Sequence, residues 1–128
     1  MEWYVSLKTQ ADALRALSNN AHVNKDVAAF IKLLRGVKGF NYFTGIGKNG
    51  HVAAHAASTF NSLGIRSMFV DPVNTLHGDM HIFSQKDVVI AISKSGETEE
   101  LIRFLNALHK IGFDKIIAIT STRNSSPS

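Results

Sequence analysis

The sequence has 128 residues, with 14 Lys and Arg against 10 Asp and Glu for a formal net charge of +4. That length accommodates one domain, and 45% hydrophobic with 19% charged residues is the balance of a chain that buries a core, which argues against disorder. No apolar run approaches the ~20 residues that cross a bilayer. The segment MEWYVSLKTQ lacks the basic-then-apolar order of a secretory signal. The absence of Cys removes disulfides, thiolate nucleophiles and Cys-type zinc sites. These features fit a cytoplasmic protein.

The basic excess lies in the first half: residues 1–64 hold seven Lys and Arg against three acids, residues 65–128 seven against seven. The charges are scattered singly. A nucleic-acid partner calls for a basic stripe or block, so none is expected, whereas an anionic small ligand suits this balance.

In chain order, Leu7, Ala11, Leu14 and Leu17 recur at helical spacing and predict an amphipathic helix, broken at Asn19-Asn20. Asn24 is a candidate cap for a second helix with Val27, Phe30, Ile31 and Leu34 inward and Gly36 or Gly39 ending it. The period then changes. Phe40–Ile46 is short, aromatic and bounded by glycines, and predicts a strand. Gly50–Leu63 predicts a helix with Val52, Ala56, Phe60 and Leu63 on its inner side. Arg66–Val70 predicts a second strand, closed by Asp71-Pro72, and residues 73–86 a longer connection without clear periodicity, with room for one helical turn.

Asp87–Ile92 is almost unbroken in apolar character, as a strand covered on both faces must be. Glu97–Ile111 predicts the strongest helix, with acids in its first turn, Leu101, Phe104, Leu105 and Leu108 inward and Gly112 after it. Lys115–Thr120 predicts a fourth strand, and STRNSSPS a polar tail. Strands alternating with helices mean an α/β three-layer sandwich: a twisted parallel sheet of about four strands, flavodoxin-like or Rossmann-like, with helices on both faces and two helices before it. The expected organisation is one domain, with a helical segment at 1–38, a core at 39–122 and a disordered tail at 123–128.

Ligands of open parallel sheets bind at the carboxyl ends of the strands, and three segments fall there. The first, Gly45-Ile46-Gly47-Lys48-Asn49-Gly50, matches the dinucleotide pattern G-x-G-x-x-G, with Asp71 where a ribose-binding acid would sit. Lys48 and His51 crowd the approach that a pyrophosphate needs, and four strands are too few for that fold. The glycine spacing also excludes a P-loop. The second, 93–98 (Ser-Lys-Ser-Gly-Glu-Thr), brings three hydroxyls and backbone N–H groups to a helix N-terminus, an anion site by construction; a plain helix cap would need only one hydroxyl. The third, 74–79, carries His77, a candidate acid or base. The pairs His51/His55 and His77/His81 have i, i+4 spacing but no third ligand, so no metal site is assigned.

Together and in this order the segments resemble the sugar isomerase (SIS) domain, and within it the arabinose-5-phosphate isomerase family. GIGKNGH at 45–51 is similar to that family's G-x-G-K-S-G-H turn, TFNSLG at 59–64 to its T-x-x-S-x-G helix end, DPVNTLHGDMH at 71–81 to its Pro-containing H-G-D segment, and SKSGETEE at 93–100 to its S-x-S-G-E-T-x-E loop. The resemblance covers about residues 27–122. It implies a phosphosugar ligand, a pentose 5-phosphate, with Ser93, Lys94, Ser95 and Thr98 around the phosphate and Gly47 and Asn49 in the substrate turn. It also implies interconversion of ribulose 5-phosphate and arabinose 5-phosphate for synthesis of the lipopolysaccharide sugar KDO, without a cofactor or metal and in a homodimer or homotetramer. The family's catalytic Lys, His and Glu fall on Lys48, His77 and Glu100.

Those side chains suit the chemistry. Aldose–ketose isomerisation passes through an enediol and needs a base over C1 and C2, here Glu100 or His77, and a cation for the developing oxyanion, here Lys48. The sequence departs from the family at Asn49, which replaces Ser, at Asn74-Thr75, which replaces Glu-Ala, and at His81, which replaces Gly. It contains no CBS domains and no His-Pro-Gly-Gly segment, whose His joins the family's active site, so slow or absent turnover is expected. The alternative is a non-catalytic phosphosugar-binding module of the regulatory kind.

Overall fold

The computed structural model describes residues 3–96 and 98–121. The expected tail at 123–128 and the expected helix start at Glu97 lie outside those residues. Contacts group the chain into two units, one up to Gly36 and one from Val37 onward.

The first unit is two helices, α1 (Trp3–Ser18) and α2 (Ala21–Arg35). The cap of α2 is Asn20, whose side chain accepts the Val23 N–H at 3.1 Å. Asn24, the candidate from sequence, lies one turn inside and donates its side-chain amide to the Ser18 carbonyl. A capping oxygen reaches the third N–H of the helix, so the cap belongs three residues before Val23. Neither helix buries a residue. Leu7, Leu14 and Leu17, and Val27 and Ile31, are exposed, contrary to the inward face expected of α2; Phe30 and Leu34 are half-buried.

The second unit carries β1 (Asn41–Thr44), α3 (Lys48–Ser62), β2 (Ser67–Phe69), α4 (Pro72–Leu76), a 3-10 turn (Met80–Ile82), β3 (Val88–Ile92), α5 (Glu99–Lys110) and β4 (Ile116–Ile119). All strands pair in parallel, in the order β2-β1-β3-β4. This is the three-layer α/β sandwich that the alternation of elements predicts. β1 and β3 are central and buried because neighbours flank them on both sides and helices cover both faces, and β3 is apolar throughout.

Successive strand residues point to opposite faces. Tyr42, Val89 and Ala91 meet Leu101, Phe104, Leu105 and Leu108 of α5 in one core. Phe43, on the other face, packs edge-on against Phe60 of α3, with ring centroids 5.0 Å apart. The inner stripe of α3 is Gly50, Ala53 and Ala57; Val52 and Leu63, expected inward, are exposed. The small stripe lets α3 lie close on the sheet, so hydrophobicity alone misplaced its face by one position. β4 is an edge strand and its second half, Ala118 and Ile119, is exposed.

At the amino ends of the strands a buried carboxylate ties the sheet together. Asp87 accepts the Phe40 N–H and the Ser84 N–H, each at 2.7 Å. A Cβ on Gly39 would sit 2.0 Å from that carboxylate, so glycine is required there.

Candidate functional site at the carboxyl edge of the sheet

The chain leaves β1 through α3 to β2 on one side, then returns to β3 on the other side of β1. The winding direction therefore reverses between β1 and β3. Loops that leave two such strands diverge to opposite faces and leave a crevice between them, the usual ligand position in doubly wound sheets. Thr44 pairs with Ala91. The turn 45–50 and the loop 93–98 thus start side by side at this crevice.

The turn after β1 is fixed by its glycines. A Cβ on Gly45 would stand 2.8 Å from the backbone of Asn49, and Gly47 has φ of 60°, a conformation costly for other residues. Gly47 caps α3 without a side chain, so Lys48 is the first helical residue and its side chain is exposed. Asn49, the next residue, is half-buried.

The loop after β3 treats its hydroxyls unequally. Ser93 is 4% exposed; its Oγ accepts the buried Gly96 N–H at 3.0 Å and lies 3.3 Å from Thr98 Oγ1. Gly96 has φ of 73°, which turns the chain toward α5. Lys94 and Ser95 are exposed and Thr98 is half-buried. Thr98 is the N-cap of α5 by position, yet its hydroxyl makes no cap bond and is directed to Ser93 instead. Glu99 and Glu100 follow in the first turn, where the helix dipole favours them. Glu99 pairs with Arg103 at 3.1 Å; Glu100 is exposed. Two carboxylates beside this loop would oppose an anionic ligand, and the exposed Lys48 and Lys94 supply the opposite charge.

His77 belongs to a third segment. Asp71 Oδ1 accepts the Val73 and Asn74 N–H groups at 2.9 and 3.0 Å, Pro72 occupies the first helical position, and Thr75 Oγ1 donates back to the Asp71 carbonyl at 2.6 Å. The Asp-Pro pair, noted in the sequence only as a strand end, is therefore a helix start. It commits that oxygen of Asp71 to a cap, where a dinucleotide site would present the carboxylate to a ribose.

His77 ends this short helix and is exposed. Leu76 and Met80, on either side of it, pack against the core cluster that contains Leu101. His77 thus lies between two residues anchored on that cluster, and Glu100 immediately precedes Leu101 of the same cluster. Among the described residues no hydrogen bond or ion pair joins Lys48, His77 and Glu100; three separate segments present them at the same edge of the sheet.

Among the described residues no group of three or more His, Asp or Glu converges as a metal site, and no helix is long and apolar enough to cross a membrane. The ionisation shift that stands out is in the core of the sheet: burial, then the Asp87 carboxylate, push the Tyr42 phenol above its ordinary value, with Arg66 acting in the opposite sense.

The family model described as SIS domain matches residues 38–128. The chain is 35% identical to arabinose 5-phosphate isomerase KpsF of Escherichia coli over 94% of its length. It is 36% identical to arabinose 5-phosphate isomerase KdsD of Pseudomonas aeruginosa over 82%. These alignments span 36% and 32% of the two relatives, so the chain corresponds to about a third of each. A solved structure of E. coli CFT073 c3406 in complex with arabinose 5-phosphate superposes with a TM-score of 0.85 at 35% identity, covering 94% of this chain and 62% of that one.

Proposed function

The chain belongs to the SIS domain family, and from that premise we propose that it binds a phosphorylated sugar in the crevice between the ends of β1 and β3 and belongs to a protein that isomerises a pentose 5-phosphate. The observation that carries this reading is the pairing of two loops at the reversal point of the sheet. One is a hydroxyl-rich loop opening a helix of 12 residues, the other a glycine turn that presents a lysine. The phosphate is assigned to the 93–98 loop, with Ser95, Thr98 and Lys94 toward it and Ser93 bracing the loop from within. The names of the KpsF and KdsD relatives and the sugar phosphate held by the c3406 structure support arabinose 5-phosphate as the sugar, and with it a place in supplying the KDO precursor.

The reaction follows from the side chains. Glu100 or His77 takes the proton from C2 of the aldose while the C1 oxygen gains one, giving an enediol. The C2 hydroxyl then loses its proton as C1 is protonated, which leaves the ketose. Lys48 stabilises the negative charge that builds on the oxygens. Gly47 and Asn49 shape the turn that carries it. The reading places the protein in the cytoplasm as a homodimer or homotetramer built through the helices of residues 1–35 and 50–63, with residues 39–122 as the sugar-binding core.

Two measurements test it. Calorimetry with arabinose 5-phosphate reports binding; no heat at millimolar ligand refutes the phosphosugar reading. Incubation in deuterium oxide followed by NMR reports chemistry: an isomerase places deuterium at C1 of ribulose 5-phosphate. Binding without exchange identifies a phosphosugar-binding module instead.

A further inference from the structure

The loop 93–98 is held from outside itself by the residues that follow β4. The Ser93 N–H donates to the carbonyl of Ile119, the last residue of β4, at 3.1 Å, which continues the β3–β4 pairing one residue past the end of β3. At the next residue the pattern changes. The Lys94 carbonyl accepts both the Ser121 N–H at 3.0 Å and the Ser121 hydroxyl at 2.6 Å. Two donors from one residue converge on one carbonyl, 27 positions away in sequence. Ser121 is exposed, and both bonds come from polar atoms of a small side chain and its own backbone.

A trans peptide is planar and its C=O and N–H point in opposite directions. Fixing the Lys94 carbonyl toward β4 therefore fixes the Ser95 N–H away from β4, into the loop. The same constraint sets where the chain enters the Gly96 bend and how the Ser95 side chain is presented. A rotation of this one peptide would reverse the amide and swing Ser95. The internal bond from Gly96 N–H to Ser93 Oγ does not prevent that rotation, because it spans the peptide without touching it.

We infer that Ser121 is a positioning residue for the anion loop, acting through the Lys94 carbonyl and not by contact with the ligand. This inference deepens the phosphosugar reading and rests on it for its binding arm alone. The hydroxyl bond holds the amide orientation that a phosphate oxygen meets. Losing one such bond is worth about a three- to tenfold change in an equilibrium constant.

The test compares Ser121→Ala, Ser121→Cys and Ser121→Thr with the unaltered chain, using calorimetry with arabinose 5-phosphate and, separately, inorganic phosphate. Ala and Cys remove or weaken the donor; Thr keeps it. The expected result is weaker binding of both probes by about three- to tenfold for Ala and Cys, affinity within twofold for Thr, and an unchanged melting temperature for all. Equal affinity of Ser121→Ala and the unaltered chain overturns the inference, as does an equal loss for Ala and Thr. A second readout needs no ligand: amide hydrogen exchange at Gly96, whose N–H is buried, should accelerate in Ser121→Ala and not in Ser121→Thr. Failure of the unaltered chain to bind either probe counts against the phosphosugar reading, while the exchange measurement still decides the clamp. An unchanged exchange rate at Gly96 in Ser121→Ala overturns it.

Discussion

Truncating Ser93 to Ala separates two serines that look equivalent in the S-x-S-G pattern. Ser93 is 4% exposed and its Oγ is the acceptor for the buried Gly96 N–H at 3.0 Å. Ser93→Ala leaves that amide without its acceptor in a place water reaches poorly. The cost of such an orphaned donor is about 1–3 kcal/mol. The positive φ of Gly96, 73°, is held partly by the same bond, so the loop that carries Ser95 and Thr98 loosens as well. Urea denaturation should show a lower midpoint at an unchanged slope, and the free energy should fall by about 1–3 kcal/mol. Ser95→Ala, at an exposed position, should lower the midpoint less than Ser93→Ala while weakening phosphosugar binding. The bracing role assigned to Ser93 is refuted if Ser93→Ala unfolds at the same midpoint as the unaltered chain.

Removing the two hydroxyls that the proposed function assigns to the phosphate, Ser95→Ala with Thr98→Ala, should lower the affinity for a pentose 5-phosphate at least tenfold, since each bond to a charged group is worth about 1.5–3 kcal/mol; unchanged calorimetric affinity would sink the assignment of the loop. The Tyr42 phenol is raised above its ordinary 10.0 by burial and by Asp87, so the fold favours its protonated form. Its contribution to stability is complete below about pH 10 and is lost as pH rises toward the folded-state value. Tyr42→Phe should therefore show a shallower alkaline loss of stability, and parallel curves for the two proteins would refute the linkage. Asp87→Ala removes the acceptor of two N–H groups at 2.7 Å and should cost at least about 2 kcal/mol, read from thermal or urea unfolding; a loss under about 0.5 kcal/mol would show that water replaces the carboxylate. Leu7, Leu14, Leu17, Val27 and Ile31 are exposed along α1 and α2, and light scattering should report a dimer or tetramer at micromolar concentration, a 14.0 kDa particle being the contrary result.

Periodicity and local chemistry were enough for the elements. The short aromatic segment at 41–44 and the apolar run at 88–92 are buried strands, and the stripe Leu101, Phe104, Leu105 and Leu108 of α5 is buried as its spacing requires. The glycine turn and the hydroxyl-rich turn into α5 were equally legible as local structure, because each depends on residue types within a few positions. Local pattern failed where a neighbour decides the outcome. The inner face of α3 is its Gly50, Ala53 and Ala57 stripe, since close approach to the sheet selects small side chains over large apolar ones. The cap of α2 moved to Asn20, because two adjacent asparagines and a third at 24 offer the same chemistry and only the helix start chooses among them.

The division of labour between Ser93 and Ser95 is likewise invisible in the string Ser-Lys-Ser-Gly. Burial separates them, and burial is set by the sheet beneath. The order β2-β1-β3-β4 cannot be read from a linear pattern, because pairing joins residues tens of positions apart. That order makes the β1 and β3 loops neighbours across the reversal point, and it brings Ser121 onto the Lys94 carbonyl. The amino-acid sequence thus carried the chemistry of each segment, whereas which segments share a crevice was decided by long-range strand pairing in the folded sheet.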